Sequence, residues 1–176
     1  MNPATPKFEE EYSAKIPALA LFTNLGWTFL PPEKALAARY GNENEVVLRG
    51  EVRKQLERRL IGQICSPALN EGLALANEKL YNHLLYGISV TQFVDGKKAS
   101  PTIPLIDWQN IENNSFQLTE EFAVTRSGGV DSRRPDIVCF VNGIPLVVIE
   151  AKRPDGKGQK GPTIAEGISQ SLRNQR

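Results

Sequence analysis

The sequence predicts an α/β (α+β) domain in which a mixed central sheet is flanked by helices. Three observations carry that expectation. Apolar residues recur at helical spacing up to about Tyr86, the period changes to that of strands from Gly87, and helical spacing returns at the C-terminal end. At 176 residues with 40% hydrophobic content, the chain is long enough for one domain with a sizeable core spanning residues 1–176.

The elements follow in order. "FEEEYSAKIPALALFTNLGW" has apolar residues at Ile16, Leu19, Ala20 and Leu25 and ends at Gly26, which reads as an amphipathic helix with a glycine stop. Pro17 fits only near a helix start, so the helix begins after the acidic run or kinks there. "WTFL" reads as a short strand. "GEVRKQLERRLIGQI" spaces Val52, Leu56, Leu60 and Ile64 four apart, with Arg53, Arg58 and Arg59 off the stripe. "SPALNEGLALANEKLYNHLLYG" follows with Ser66 as N-cap and Pro67 at the first helical position, completing a helical hairpin. "GISVTQFVDGKKA" is strand-like with a hairpin turn at "DG", and "PTIPLIDW" and "SFQLTEEFAVTR" read as further strands. "DIVCFV" and "PLVVIEA", joined by "NG", are the most continuous apolar runs, which suits central strands covered on both faces. "RPDGKGQKGPT" is a loop. "TIAEGISQSLRNQR" resumes helical spacing through Ile164, Ile168 and Leu172 behind Thr163, and the chain ends within that pattern, as expected of a piece of a longer protein.

Composition narrows the class. The N-terminal segment is polar and acidic, and no stretch approaches the roughly 20 apolar residues of a membrane span, so a cytoplasmic protein with no membrane partner is expected. Cys65 and Cys139 lie far apart in apolar surroundings, which suits reduced structural thiols rather than a disulfide or a zinc knuckle. Net charge is +1, but residues 126–176 carry nine Lys/Arg against five Asp/Glu. A charge run is ordinarily solvated surface. Beside an acidic site, however, Arg133, Arg134, Arg153, Lys157 and Lys160 become candidates to hold DNA phosphates.

That acidic site interrupts the greasiest part of the chain, "RPDIVCFVNGIPLVVIEAKRP". Burying Asp136, Glu150 and Lys152 unpaired is costly, so their presence needs a reason. Glu150 and Lys152, two apart, share a strand face. A two-residue turn at "NG" with regular pairing would turn Asp136 to the opposite face. A three-residue loop ending at a left-handed Gly143, or a bulge, changes the parity and brings all three together, so an odd-length or bulged hairpin is expected. Two carboxylates on one face repel each other, which a divalent cation resolves. Mg²⁺ takes carboxylate and carbonyl oxygens and keeps waters, and a lysine beside it stabilises charge developing on a phosphate. The pattern is that of PD-(D/E)xK, suited to phosphodiester hydrolysis. A salt bridge between Lys152 and one acid at a strand end is the plainer alternative. Pro135 before Asp136, the shared hairpin and the basic loop favour catalysis.

These residues also carry a family resemblance. "LIDWQNIENNSFQLTEEFAVTR…RRPDIVCFVNGIPLVVIEAKRP" resembles the N-terminal nuclease domain of the type I restriction enzyme R subunit (HsdR), and the likeness runs from "EEEYSAKIPALALFTNLGW" to the last helix. The resemblance implies a restriction-endonuclease-like core, with Asp136 and Glu150 as metal ligands, the Ala151 carbonyl as a further ligand, and Lys152 as the catalytic lysine. It also implies a Gln-x-x-x-Tyr element, for which Gln170 fits the first place while Asn174 stands where the Tyr would be. Beyond the chain it implies an ATP-driven translocase motor, absent here, and specificity and modification subunits that leave this domain to cut double-stranded DNA without its own sequence readout. Two rivals stay open: a non-catalytic docking or DNA-binding module of the R subunit, and a related repair or junction-resolving nuclease.

Other signals carry less. "GKGQKGPT" has Pro162 where a phosphate-binding loop needs lysine. His83, the only histidine, has no acid or thiol at useful spacing. Glu9, Glu10 and Glu11 suit a helix start, although the family's first helix also begins with an acid, so Glu11 is an open candidate to approach the site. Arg53, Arg58 and Arg59 are expected to be solvated, with DNA backbone contact as the minor alternative. Trp27 and Trp108 are read as core or sheet-edge aromatics.

Overall fold

A computed structural model describes residues 11–59, 73–94, 97–125 and 131–152, with 168, 169 and 172. The described residues have the mixed α and β content expected. A π-helical stretch, Glu11–Lys15, runs into α1 (Ile16–Asn24), so the helical backbone begins within the acidic run and Pro17 stands in the first turn of α1. Gly26, at φ +92°, ends the helix, and β1 (Thr28–Phe29) follows. Next comes α2 (Pro32–Ala38), a helix not read from the sequence, although a proline at its first position and Glu33 in its first turn are start signals. α3 (Arg49–Arg59) and α4 (Leu73–Tyr86) match the two expected helices, α4 stopping at Gly87 with φ +80°. The expected caps Ser66 and Pro67 lie outside the described residues.

The strands then run β2 (Ile88–Ser89), β3 (Gln92–Val94), β4 (Lys97–Ala99), β5 (Thr102–Ile103), β6 (Phe116–Glu120), β7 (Val124–Thr125), β8 (Ser132–Arg133), β9 (Ile137–Val141) and β10 (Ile144–Ile149). β2 pairs β5 and β3 pairs β4, with Val94 opposite Lys97 across the "DG". The main sheet has the order β1-β6-β9-β10. β1 runs parallel to β6, while β6, β9 and β10 are antiparallel, which makes the sheet mixed.

Both faces of β9 are covered, and all five of its residues are buried. Ile137 and Cys139 join Leu118 under Ala18, Leu19, Phe22 and Trp27 on the α1 side. Val138 and Phe140 pack on the other side with Ala35, Leu48 and Phe122. Trp27 is a core aromatic, edge-on to Phe22 and Phe116 with centroids 5.5 and 5.2 Å away. Trp108 is exposed, its indole N–H donating to the Leu84 carbonyl at 3.0 Å and tying its loop to α4. Cys139 is fully buried, and burial pushes its thiol up to about 11, as befits a structural cysteine.

Among the described residues β10 stands at the edge of the main sheet rather than at its centre: β9 is its one strand neighbour there, and Leu146, Val147 and Val148 are 42%, 45% and 50% exposed. A continuous apolar run cannot by itself tell an interior strand from an apolar edge.

The connection between β5 and β6 is held by polar side chains. Asp107 accepts the Gln109 and Asn110 N–H groups on Oδ1 and the Asn113 amide on Oδ2. Asn142, buried at φ +53°, donates to the Leu105 carbonyl and to Asn114 Oδ1, and accepts the Ser115 N–H, each at 2.8 Å. The "LIDW" and "NG" stretches therefore meet in one hydrogen-bonded network at one end of the β9–β10 hairpin. Arg39, 3% exposed, does similar work elsewhere: it lies 4.0 Å above the Phe122 ring and donates to the Glu45 and Ala123 carbonyls.

Candidate active site

The opposite end of that hairpin carries the acids, and their placement follows from its register. Asn142 and Gly143, both at positive φ, form a two-residue turn with Val141 opposite Ile144 and Phe140 opposite Pro145. The three-residue loop considered from the sequence is thus replaced by a tighter turn. The parity change comes from the other source, a bulge between Pro145 and Val147 that leaves Leu146 as the extra residue. Beyond it Cys139 faces Val147, Val138 faces Val148 and Ile137 faces Ile149. Continued by one step, this register sets Asp136 opposite Glu150, and directly opposed residues share a face.

A hydrogen bond ties the two strand ends. Asp136, in a bend just before β9, accepts the Ala151 backbone N–H on Oδ2 at 2.7 Å. Glu150, Ala151 and Lys152 follow β10 directly; Ala151 is buried, Glu150 and Lys152 are half-buried, and Glu150 Oε2 is shielded from solvent. Among the described residues, no group of three or more His, Cys, Asp or Glu side chains is gathered to hold a metal ion. From the described residues, a cation here would take two carboxylates and the backbone as ligands.

The remaining sequence candidates fall into two sets. Arg133 lies exposed on β8, opposite Val124. Arg134 is exposed and its Nε contacts Glu121 Oε2 at 2.9 Å. Glu11 is exposed at the start of the helical segment. Arg153, Lys157, Lys160, Gln170 and Asn174 lie outside the described residues. Reading the sequence passed over a second ionic group beside the site. Lys15 Nζ contacts Glu120 Oε2 at 3.2 Å and Glu121 Oε1 at 2.9 Å, with only 12% of its side chain exposed. Burial disfavours its charge, but the hydrogen bonds and charges of Glu121 and Glu120 prevail and hold its pKa above the ordinary lysine value. The paired acids closing "SFQLTEE" were the visible signal, since charges at the end of an apolar strand need a partner when the end is covered.

The fold and this site define an α+β domain whose sheet hairpin presents an acid across from an acid-x-Lys. Residues 7–176 match the family model for the type I restriction enzyme R protein N terminus, and the chain belongs to that family. It is 30% identical over 178 aligned residues to the MjaIXP type I restriction enzyme endonuclease subunit of Methanocaldococcus jannaschii, covering 88% of this chain and 16% of that protein. It is 33% identical over 147 residues to the HindI endonuclease subunit of Haemophilus influenzae, covering 74% of this chain and 14% of that protein. The EcoprrI endonuclease subunit of Escherichia coli is 24% identical over 168 residues, 94% of this chain and 49% of its own length. The chain thus spans less than a fifth of the first two relatives. Among the described residues no helix is long and apolar enough to cross a membrane.

Proposed function

We propose that this domain is the DNA-cleaving part of a type I restriction enzyme R subunit, hydrolysing phosphodiester bonds of double-stranded DNA with Mg²⁺. The observation that carries the reading is the bulged register, which continued by one step sets Asp136 opposite Glu150, together with the Ala151 N–H on Asp136. Two carboxylates and the Ala151 carbonyl are a hard-oxygen set of low count, which fits Mg²⁺, an ion that keeps several waters, better than zinc. When bound, Mg²⁺ supplies a Lewis acid for a phosphate oxygen and an acidified water.

The chain's own residues do the rest. Asp136 and Glu150 hold the cation, and the Ala151 N–H fixes the rotamer of Asp136. Lys152, on the Glu150 side, stabilises the negative charge that builds on the phosphate as water attacks. Gln170 is proposed to orient the site, as the family resemblance implies. Arg133, Arg134, Arg153, Lys157 and Lys160 bind backbone phosphates, giving salt-sensitive affinity without sequence readout. Site choice then belongs to specificity and modification subunits, and movement along DNA to an ATP-driven motor beyond this segment. The isolated domain is accordingly expected to be weakly active.

Restriction of unmodified phage by the complete system tests this reading. Lys152→Ala is expected to abolish restriction while the protein accumulates normally, and preserved restriction would remove the catalytic assignment. Calorimetric titration of Mn²⁺ into the wild-type chain and Asp136→Ala separates the rival docking module, which predicts equal heats.

A further inference from the structure

We infer that Glu121 is a positioning residue for Asp136, clamped by Lys15 from the first helical segment. The ligand role of Asp136 rests on the nuclease reading above, whereas its placement does not. The β6–β9 ladder ends with Glu120 opposite Ile137, so Asp136 lies one residue beyond the sheet and needs other restraint. Glu121 supplies it from backbone and side chain together. Its N–H donates to the Asp136 carbonyl at 3.0 Å, and the next N–H, of Phe122, donates to the Pro135 carbonyl at 3.1 Å.

Glu121 makes these bonds with φ at +48°, a conformation that costs a non-glycine residue about 1 to 2 kcal/mol and persists only where its surroundings impose it. The carboxylate provides that imposition. Oε1 takes Lys15 Nζ at 2.9 Å, Oε2 takes Arg134 Nε at 2.9 Å, and Lys15 also reaches Glu120. Residues 134 to 136 are therefore held at three successive positions, by one ion pair and one backbone bond to Glu121 and one backbone bond to Phe122, and Glu121 is itself anchored on the helical segment before α1. An exposed ion pair would contribute little. Lys15 is largely withdrawn from water, so the clamp is stiffer than a surface pair, and it joins two elements 106 residues apart. The backbone that carries the Asp136 carboxylate is thus restrained from outside the hairpin, and the Ala151 N–H then fixes the side chain.

The Ala151 amide, bound to Asp136 Oδ2, reports that placement without any metal. In amide exchange followed by NMR on the chain, Glu121→Ala is expected to speed exchange at Ala151 by about tenfold or more, the loss of one charge-assisted bond, while the Leu118 and Cys139 amides within the sheet keep their protection. Lys15→Met should act in the same direction and Lys15→Arg should restore wild-type behaviour. Should Glu121→Ala not fold, the two Lys15 variants decide alone. Unchanged exchange at Ala151, or equal loss at Ala151, Leu118 and Cys139, overturns the inference. Mn²⁺ calorimetry on the same proteins should show several-fold weaker binding in Glu121→Ala and Lys15→Met. A wild-type chain that takes no Mn²⁺ defeats the metal reading, and the Ala151 amide still decides the positioning.

Discussion

Replacing Asp136 by Asn and by Ala separates a cation site from a structural ion pair, because the two substitutions remove different things. The wild-type carboxylate accepts the N–H of Ala151, a residue only 6% exposed, at 2.7 Å. A hydrogen bond to a charged, half-buried acceptor contributes about 1.5 kcal/mol, near the low end for charged partners. On the nuclease reading, repulsion from Glu150 acts against it, since the bulged register continued by one step sets the two acids on one face. Ala removes both, and strands a buried donor. Asn keeps an acceptor oxygen for the Ala151 N–H and removes only the repulsion. In urea denaturation at neutral pH without divalent metal, Asp136→Asn should be at least as stable as wild type, and Asp136→Ala about 1 to 2 kcal/mol below Asn. Saturating Mg²⁺ should then raise wild-type stability, by about 2.7 kcal/mol at a hundredfold excess over Kd, and raise neither variant. If Lys152 were merely neutralising Asp136, Asn would lose stability and Mg²⁺ would change none of the three proteins. That pattern would refute the reasoning.

Two further expectations follow from the surroundings of the site. Gly143→Ala should cost about 2 to 4 kcal/mol, since φ is +82° and an added Cβ would lie 2.7 Å from the Leu48 carbonyl oxygen and 3.0 Å from the Val52 nitrogen. Gly26→Ala, at φ +92° with nothing within 4 Å, isolates the conformational part at about 1 kcal/mol, and equal losses in denaturation midpoints would discard the steric account. Stability should also fall as pH rises from about 9 to about 11, because over that window the unfolded chain releases a thiol proton that native Cys139, pushed up to about 11 by burial, retains. Lys15 acts in the same direction: with its folded pKa raised, its contribution is complete at neutral pH and disappears once pH passes that value. Urea denaturation across this range checks both, and Cys139→Ala should flatten the decline.

How much was legible in the sequence depended on whether the deciding information was local. The period change at Gly87, the glycine stop at Gly26 and the apolar run of β9 are local, and each is found where the sequence put it. The acids could be named for the same reason, since acid-x-Lys after an apolar strand is visible in a few residues. The bulge could be demanded but not located: parity says that one residue must be extra, and nothing local marks Leu146 as that residue. Sheet order is not local at all, so β10 read like β9 although, of the two, β9 alone has a strand on each side among the described residues. The Lys15–Glu121 contact spans 106 positions, and no spacing rule reaches across that distance.

The hairpin also divides the family signature into two parts with different physics. Asn142 and Gly143 at one end are buried against the β5–β6 connection and the start of α3, with the Asn142 side chain satisfied by backbone and by Asn114. Asp136 and Glu150 stand at the other end, separated from the turn by the five residues of β9, or about 17 Å of strand. Substitutions that far apart, without shared partners, act on stability nearly independently. A lesion at Asn142 should therefore appear as a lower unfolding free energy with unchanged Mn²⁺ affinity in the folded fraction. A lesion at Asp136 should appear in the affinity first. The bulge at Leu146 belongs to both ends, because it converts a turn chosen for its packing into a register that, continued by one step, opposes the two acids.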